Sequence, residues 1–105
     1  ASGLNGQSFA FNGSLPVKPP ERVQAIRRFE RRAHAEGQSQ LFIEAPYRNV
    51  KLMEQLLQTL APETRLTVAM DITAPGEFIR TLRVREWRAA ELPAMNKRPA
   101  IFIIG

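Results

Sequence analysis

The sequence predicts an α/β fold: a single three-layer-like domain whose mixed sheet of about five strands carries helices on its faces. Three observations predict it. Short apolar runs alternate with segments of helical periodicity, the pattern of strands and helices packed in layers. Ala100 to Ile104 is the most apolar run in the chain and has the length and composition of a central strand. The 105 residues are 44% hydrophobic and 24% charged, an ordinary composition for one domain, and such a chain buries about two-thirds of its unfolded surface.

The elements follow in order. Ala1 to Gly6 is small and polar, a ragged start. Ser8 to Phe11 is a short strand with Phe9 and Phe11 on one face, broken by Asn12-Gly13-Ser14. Pro19 and Pro20 suit the first turn of a helix, and Glu21 places a negative charge where the helix dipole favours one. The helix runs from Glu21 to Glu36, with Val23, Ile26, Phe29 or Glu30, and Ala33 as its apolar stripe and Gly37 as its stop. Arg22, Arg27, Arg28, Arg31 and Arg32 decorate the rest of its surface. Gln40 to Glu44 is a strand whose continuous Leu41-Phe42-Ile43 run indicates cover on both faces. Arg48 to Leu60 is a second helix with Val50, Met53, Leu56, Leu57 and Leu60 buried. Thr64 to Ile72 is a buried strand, Ala74-Pro75-Gly76 a turn, and Phe78 to Leu82 an extended piece. Val84 to Leu92 is a short helix around Trp87, Pro93 to Pro99 a polar loop, and Ala100 to Ile104 the last strand.

Composition excludes several chemistries. Without cysteine there is no disulfide, thiolate nucleophile or thiolate metal site, which fits a reducing cytosol. With His34 alone, a multi-histidine metal site is excluded, and no metal is expected. His34 itself, among charged residues, is expected to be solvated. No apolar run approaches a membrane span, and the first residues lack the pattern of a secretory signal. The net charge is +5, from 15 Lys and Arg against 10 Asp and Glu, a balance that favours an anionic partner such as RNA. The chain also lacks a dinucleotide fingerprint, a phosphate loop, a nucleophile elbow and a ribonucleoprotein signature.

The remaining chemistry sits at strand ends, beyond which open α/β sheets bind ligands. Leu41-Phe42-Ile43 is followed by Glu44-Ala45-Pro46-Tyr47-Arg48, and the next strand by Asp71-Ile72-Thr73. A carboxylate ending an apolar strand is costly unless it is hydrogen-bonded or faces a cleft. Glu44 and Asp71 either cap backbone amides, with Arg48 pairing Glu44 as a scaffold, or line a polar cleft.

These residues also carry a family resemblance. The run Phe9 to Pro16 with Lys18 and Arg22, then Leu41 to Arg48, then Asp71-Ile72-Thr73 with Glu77 and Phe78, resembles the C-terminal half of an S-adenosylmethionine-dependent methyltransferase of the tetrapyrrole (corrin/porphyrin) methylase superfamily. Within it the chain is most similar to the bacterial ribosomal-RNA ribose 2′-O-methyltransferase branch. The most specific segment is the apolar strand followed by Glu44-Ala45-Pro46, the aromatic Tyr47 and Arg48. The resemblance covers essentially the whole chain, with Ala1-Ser2-Gly3-Leu4 like the end of a linker. Two positions depart from the pattern: Ser14 stands where an aromatic is usual, and Asp71-Ile72-Thr73 replaces Glu-Leu-Thr.

The resemblance implies that residues 1–105 are a C-terminal methyltransferase domain, inactive or nearly so without an N-terminal cofactor-binding domain. It implies S-adenosylmethionine as cofactor, received by Ile43, Glu44 and Ala45 and by Pro99, Ala100 and Ile101. It further implies a cytoplasmic homodimer, and an acceptor that is RNA or a tetrapyrrole or other small molecule. Glu44 and Asp71 are the candidates for a catalytic base. Arg48, Arg28 and Arg32 are the candidates for substrate contact. A non-catalytic binding or dimerisation module is the alternative from a different class.

Overall fold

In the computed structural model, residues 8–105 are described; the expectations for Ala1 to Gly6 lie outside them. Five strands, β1 (Ser8–Ser14), β2 (Gln38–Ile43), β3 (Arg65–Met70), β4 (Phe78–Arg83) and β5 (Ala100–Ile104), form one sheet in the order β1-β2-β5-β3-β4. β1 is parallel to β2, β5 is antiparallel to both β2 and β3, and β4 is antiparallel to β3. The expected mixed five-stranded α/β sheet is therefore present, with the last strand at its centre.

Three helices accompany it: α1 (Pro19–Glu36), α2 (Asn49–Thr59) and α3 (Val84–Ala89). They share one face of the sheet, whereas the sequence suggested cover on both. The reason is topological. α1 joins β1 to the parallel β2, and α2 joins β2 to the parallel β3 across β5. Both crossovers step in the same direction, and right-handed connections stepping one way place their helices on one side. A single core results. Ile26 and Phe29 of α1, Leu52, Met53 and Leu56 of α2 and Val84 and Trp87 of α3 bury Phe42, Leu66, Val68, Met70, Phe102 and Ile104. Phe29, Phe42 and Phe102 stack through it with ring centres 5.9 and 6.0 Å apart.

The opposite face is open. Period-two alternation puts Phe9, Phe11, Leu41, Ile43, Ile101, Ile103 and Ile79 there, and Phe9, Phe11 and Ile79 are 54%, 66% and 58% exposed. The apolar run in β2 thus reflects a buried face plus an apolar but uncovered one, which corrects the expectation of two covered faces.

Several boundaries move for local reasons. β1 continues past Asn12 because the register shifts between Phe11 and Ser14 and Gly13 takes φ 68°, a bulge where a break was expected. α1 starts at Pro19 and ends on left-handed Gly37. It buries Arg22 and Ala25 beside Ile26, Phe29 and Ala33, so the stripe is rotated away from the half-buried Val23. α2 is preceded by a 3-10 turn, Pro46–Arg48. β3 ends at Met70, because Asp71 and Thr73 adopt positive φ. α3 stops at Ala89. The 93–99 loop is not purely polar, since Met95 is buried in the core. His34 is exposed, as expected, with its Nε2 3.3 Å from the Thr64 hydroxyl.

Candidate functional site

The carboxyl ends of β2 and β3 and the start of β5 meet at one edge of the sheet, because β5 runs against both neighbours. Register then sets Ile43 beside Ile101 and Ile101 beside Ala69 on the open face. A cleft of about 350 Å³ lies there, lined by Ile43, Glu44, Pro46, Ala69, Ile72, Pro99, Ala100 and Ile101. Residues separated by more than fifty positions, Ile43-Glu44 and Pro99-Ala100-Ile101, share this cleft. Ala45 does not line it, but its amide donates to Glu44 Oε1 at 2.9 Å. Ala69, Ile72 and Pro46 complete the walls. The signal that could have found Ala69 is its small size within an otherwise bulky strand.

Glu44 ends an apolar strand and is met by Arg22. The guanidinium Nη2 lies 2.5 Å from Glu44 Oε2, and both side chains are 5% exposed. Arg22 Nε donates to the Pro16 carbonyl at 3.0 Å and Nη1 to Gln55 Oε1 at 3.3 Å. The pair therefore ties the start of α1, the end of β2 and α2 into one joint. Two expectations change. Arg22 is not part of the solvated decoration of α1, and Arg48 is not the partner of Glu44. Arg48 instead lies over the Tyr47 ring, 5.1 Å from its centre.

Asp71 is held by Arg98, whose Nε is 2.6 Å from Asp71 Oδ2, with the two side chains 21% and 27% exposed. Arg98 also donates to the carbonyls of Gly76 and Ala94 at 2.8 Å each. The amides of the turn find other acceptors: Ala74 donates to the Asp71 carbonyl and Thr73 to Glu77 Oε1. The carboxylate of Asp71 thus braces the loop ahead of β5 and does not cap its own turn.

That loop has a second anchor that sequence reasoning missed. Asn49 is fully buried, and its Nδ2 donates to the Met95 carbonyl at 2.9 Å and the Arg98 carbonyl at 2.7 Å. Lys97 N donates to the Pro46 carbonyl and Val50 N to Asn96 Oδ1. Pro99 is therefore set against the cleft from both sides of the sheet edge. Nothing in the local pattern around Asn49 marks it, because its partners lie forty-six and forty-nine residues further along the chain.

The remaining predicted site residues divide. Arg48 lies beside the cleft, just beyond Pro46. Arg28 and Arg32 line a shallow basic pocket with Arg31 near the far end of α1. Ten residues separate Arg22 from Arg32, so that surface stands about 15 Å further along the helix. Among the described residues no three His, Asp or Glu gather to hold a metal ion, and no helix is long and apolar enough to cross a membrane.

Comparisons with known proteins bear on the chain as a whole. No family model matches the chain. It is 26% identical, over its whole length, to a Pseudomonas aeruginosa protein named ribosomal RNA small subunit methyltransferase I. It is 28% identical, over 82% of its length, to the Vibrio cholerae protein of the same name. The chain spans only 37% and 28% of the lengths of those relatives. Among solved structures it resembles the methyltransferase CobJ, with TM-score 0.55, 18% identity and 93% of this chain against 41% of that one. It likewise resembles uroporphyrin-III C-methyl transferase from Thermus thermophilus complexed with S-adenyl homocysteine, with TM-score 0.52, 19% identity and the same coverage. The likeness to these structures is one of fold. The curated relatives carry the name of a ribosomal-RNA methyltransferase, and the solved structures share the fold of methyltransferases.

Proposed function

We propose that residues 1–105 are the C-terminal domain of an S-adenosylmethionine-dependent methyltransferase that modifies a ribose 2′-hydroxyl of small-subunit ribosomal RNA when joined to the rest of its chain. The observation that carries this reading is the cleft. Five of the six positions singled out for the cofactor, Ile43, Glu44, Pro99, Ala100 and Ile101, line one cavity at the carboxyl edge of the sheet. Its walls suit an adenosine: Ile43, Ala69, Ile72 and Ile101 offer flat apolar surface, and strand-end backbone offers hydrogen bonds.

In this reading S-adenosylmethionine, when bound, supplies a methyl group already activated on a sulfonium. The chain's own residues bind, orient and exclude water. Ala69 leaves room that a larger side chain would fill. Glu44 holds the Ala45 amide in place and is itself held by Arg22. Asp71 and Arg98 fix the approach to Pro99. Glu44 is buried with both oxygens engaged, and Asp71 is engaged by a guanidinium, so both serve as positioning residues and the proton acceptor for a ribose hydroxyl lies elsewhere in the protein. Arg28 and Arg32 form a remote basic surface that attracts RNA at long range. The protein is cytoplasmic and works as a homodimer, with the open apolar sheet face as surface to be covered by the remainder of the chain or by a second copy.

The test is to incubate the full-length protein with methyl-labelled S-adenosylmethionine and undermethylated small ribosomal subunits. Label in ribose is expected. Absence of label with cofactor binding intact overturns the RNA reading and favours a tetrapyrrole acceptor, the reading that the fold neighbours support.

A further inference from the structure

A second cavity, about 320 Å³, opens on the other side of the Arg22–Glu44 pair and is lined by Val17, Pro19, Arg22, Arg48, Lys51 and Gln55. Glu44 lines the first cleft and Arg22 lines this one, so the ion pair is the wall between them. The charge of Arg22 is met by Glu44. No carboxylate lines the cavity, and among the described residues neither Arg48 nor Lys51 has an ion-pair partner. Arg48, Lys51 and Gln55 are spaced three and four apart, which puts them on one side of the turn leading into α2. Beside them Tyr47 is 64% exposed, with the Arg48 guanidinium over its ring. Cations beside an exposed aromatic ring form the combination that holds single-stranded nucleic acid, through phosphates and a stacked base.

We infer that this cavity is an RNA phosphate site: Arg48 and Lys51 clasp the backbone of the acceptor strand next to the methyl-donor cleft, and Tyr47 stacks on an adjacent base. The inference rests on the RNA reading above; of the three arginines named for substrate contact it keeps Arg48, joins Lys51 to it, and leaves Arg28 and Arg32 to long-range attraction. The cavity is too small to enclose a tetrapyrrole macrocycle, whereas a phosphate with part of a sugar fits. The Arg22–Glu44 wall keeps the anion apart from the cleft while holding the two a side chain's width from each other. Arg48 and Lys51 are thus contact residues, and Arg22 is a positioning residue.

The experiment uses the full-length protein and a single-stranded oligonucleotide of small-subunit ribosomal RNA, with affinity followed by fluorescence anisotropy between about 50 and 200 mM salt. Arg48→Gln with Lys51→Gln is expected to weaken binding at least about tenfold and to lower the salt slope by about 1.4, two single-strand phosphates at ~0.7 each. The same variant is expected to keep its S-adenosylmethionine affinity within about twofold, because neither residue lines the donor cleft. Arg48→Lys with Lys51→Arg, which preserves charge, is expected to keep the slope. An unchanged slope in the glutamine variant while the unsubstituted protein binds RNA overturns the inference and leaves the RNA reading standing, as does a loss of slope in Arg28→Gln with Arg32→Gln instead. Loss of cofactor and RNA binding together in the glutamine variant overturns it too, by assigning the residues to the fold. Failure of the unsubstituted protein to bind RNA overturns both readings.

Discussion

Removing Arg22 tests whether the buried ion pair holds the joint between α1, β2 and α2. Arg22 and Glu44 are each 5% exposed in their side chains, with Nη2 and Oε2 2.5 Å apart. An exposed ion pair contributes about 0.2–1 kcal/mol. Breaking a buried one by deleting a single partner costs about 3–5 kcal/mol, because the other charge stays buried and uncompensated. Arg22→Ala also frees the Pro16 carbonyl and Gln55 Oε1 of their donor. For 105 residues, an unfolding entropy of about 2.1 cal/mol/K per residue amounts to about 0.22 kcal/mol/K, so this loss lowers the midpoint by about 14–23 °C. Trp87, the chain's only tryptophan, is buried in the same core and reports the transition by fluorescence. The double change Arg22→Met with Glu44→Gln is expected to recover most of the loss, since it leaves no unpaired charge. A single-variant loss below about 1 kcal/mol, the worth of a surface pair, refutes the argument, and so does a double variant that is simply the sum of the two singles.

Three further outcomes follow from the same geometry. Asn49→Ala leaves the Met95 and Arg98 carbonyls without their donor at about 1–3 kcal/mol each; hydrogen exchange is expected to quicken across residues 93–99, and unchanged exchange would show that the loop has other anchors. Asp71→Asn removes a half-screened pair worth about 1 kcal/mol and is expected to cut kcat of the full-length enzyme less than tenfold, whereas loss of a general base costs about 10²–10⁴-fold, so kcat at saturating substrates decides between bracing and proton transfer. Ala69→Phe projects a ring into the donor cleft from the open face and is expected to raise the Kd for S-adenosylmethionine more than about tenfold, roughly 1.4 kcal/mol, with the thermal midpoint little changed; calorimetric titration of the full-length protein reads it.

Most of the fold was legible because it rests on local signals. Pro19-Pro20 and Gly37 punctuate α1, and apolar strands alternate with amphipathic helices along the chain. The face on which the helices lie was not legible, because it depends on strand order, and β5 enters between β2 and β3 from the far end of the sequence. Leu41 and Ile43 misled for the same reason, since an apolar residue on an uncovered face is written like one in a core. The end of β1 was misread because Gly13 serves equally in a bulge and in a break.

The site was legible in its apolar part and opaque in its charged part, for a physical reason. Ile43 and Pro99 to Ile101 line the cleft and also behave as strand ends, so they could be singled out from pattern and resemblance. Charged partners are chosen by three-dimensional proximity, and sequence spacing carries little of it. Arg22 and Glu44 are twenty-two residues apart and Asp71 and Arg98 twenty-seven, while the nearer Arg48 satisfies neither carboxylate. The chain thus consumes two of its arginines to neutralise the carboxylates at its strand ends. Among the described residues Arg48 and Lys51 have no such carboxylate, and both line the neighbouring cavity with their charge uncompensated by an ion pair. The proposed phosphate contact therefore rests on the pair that the fold does not use for neutralising a carboxylate.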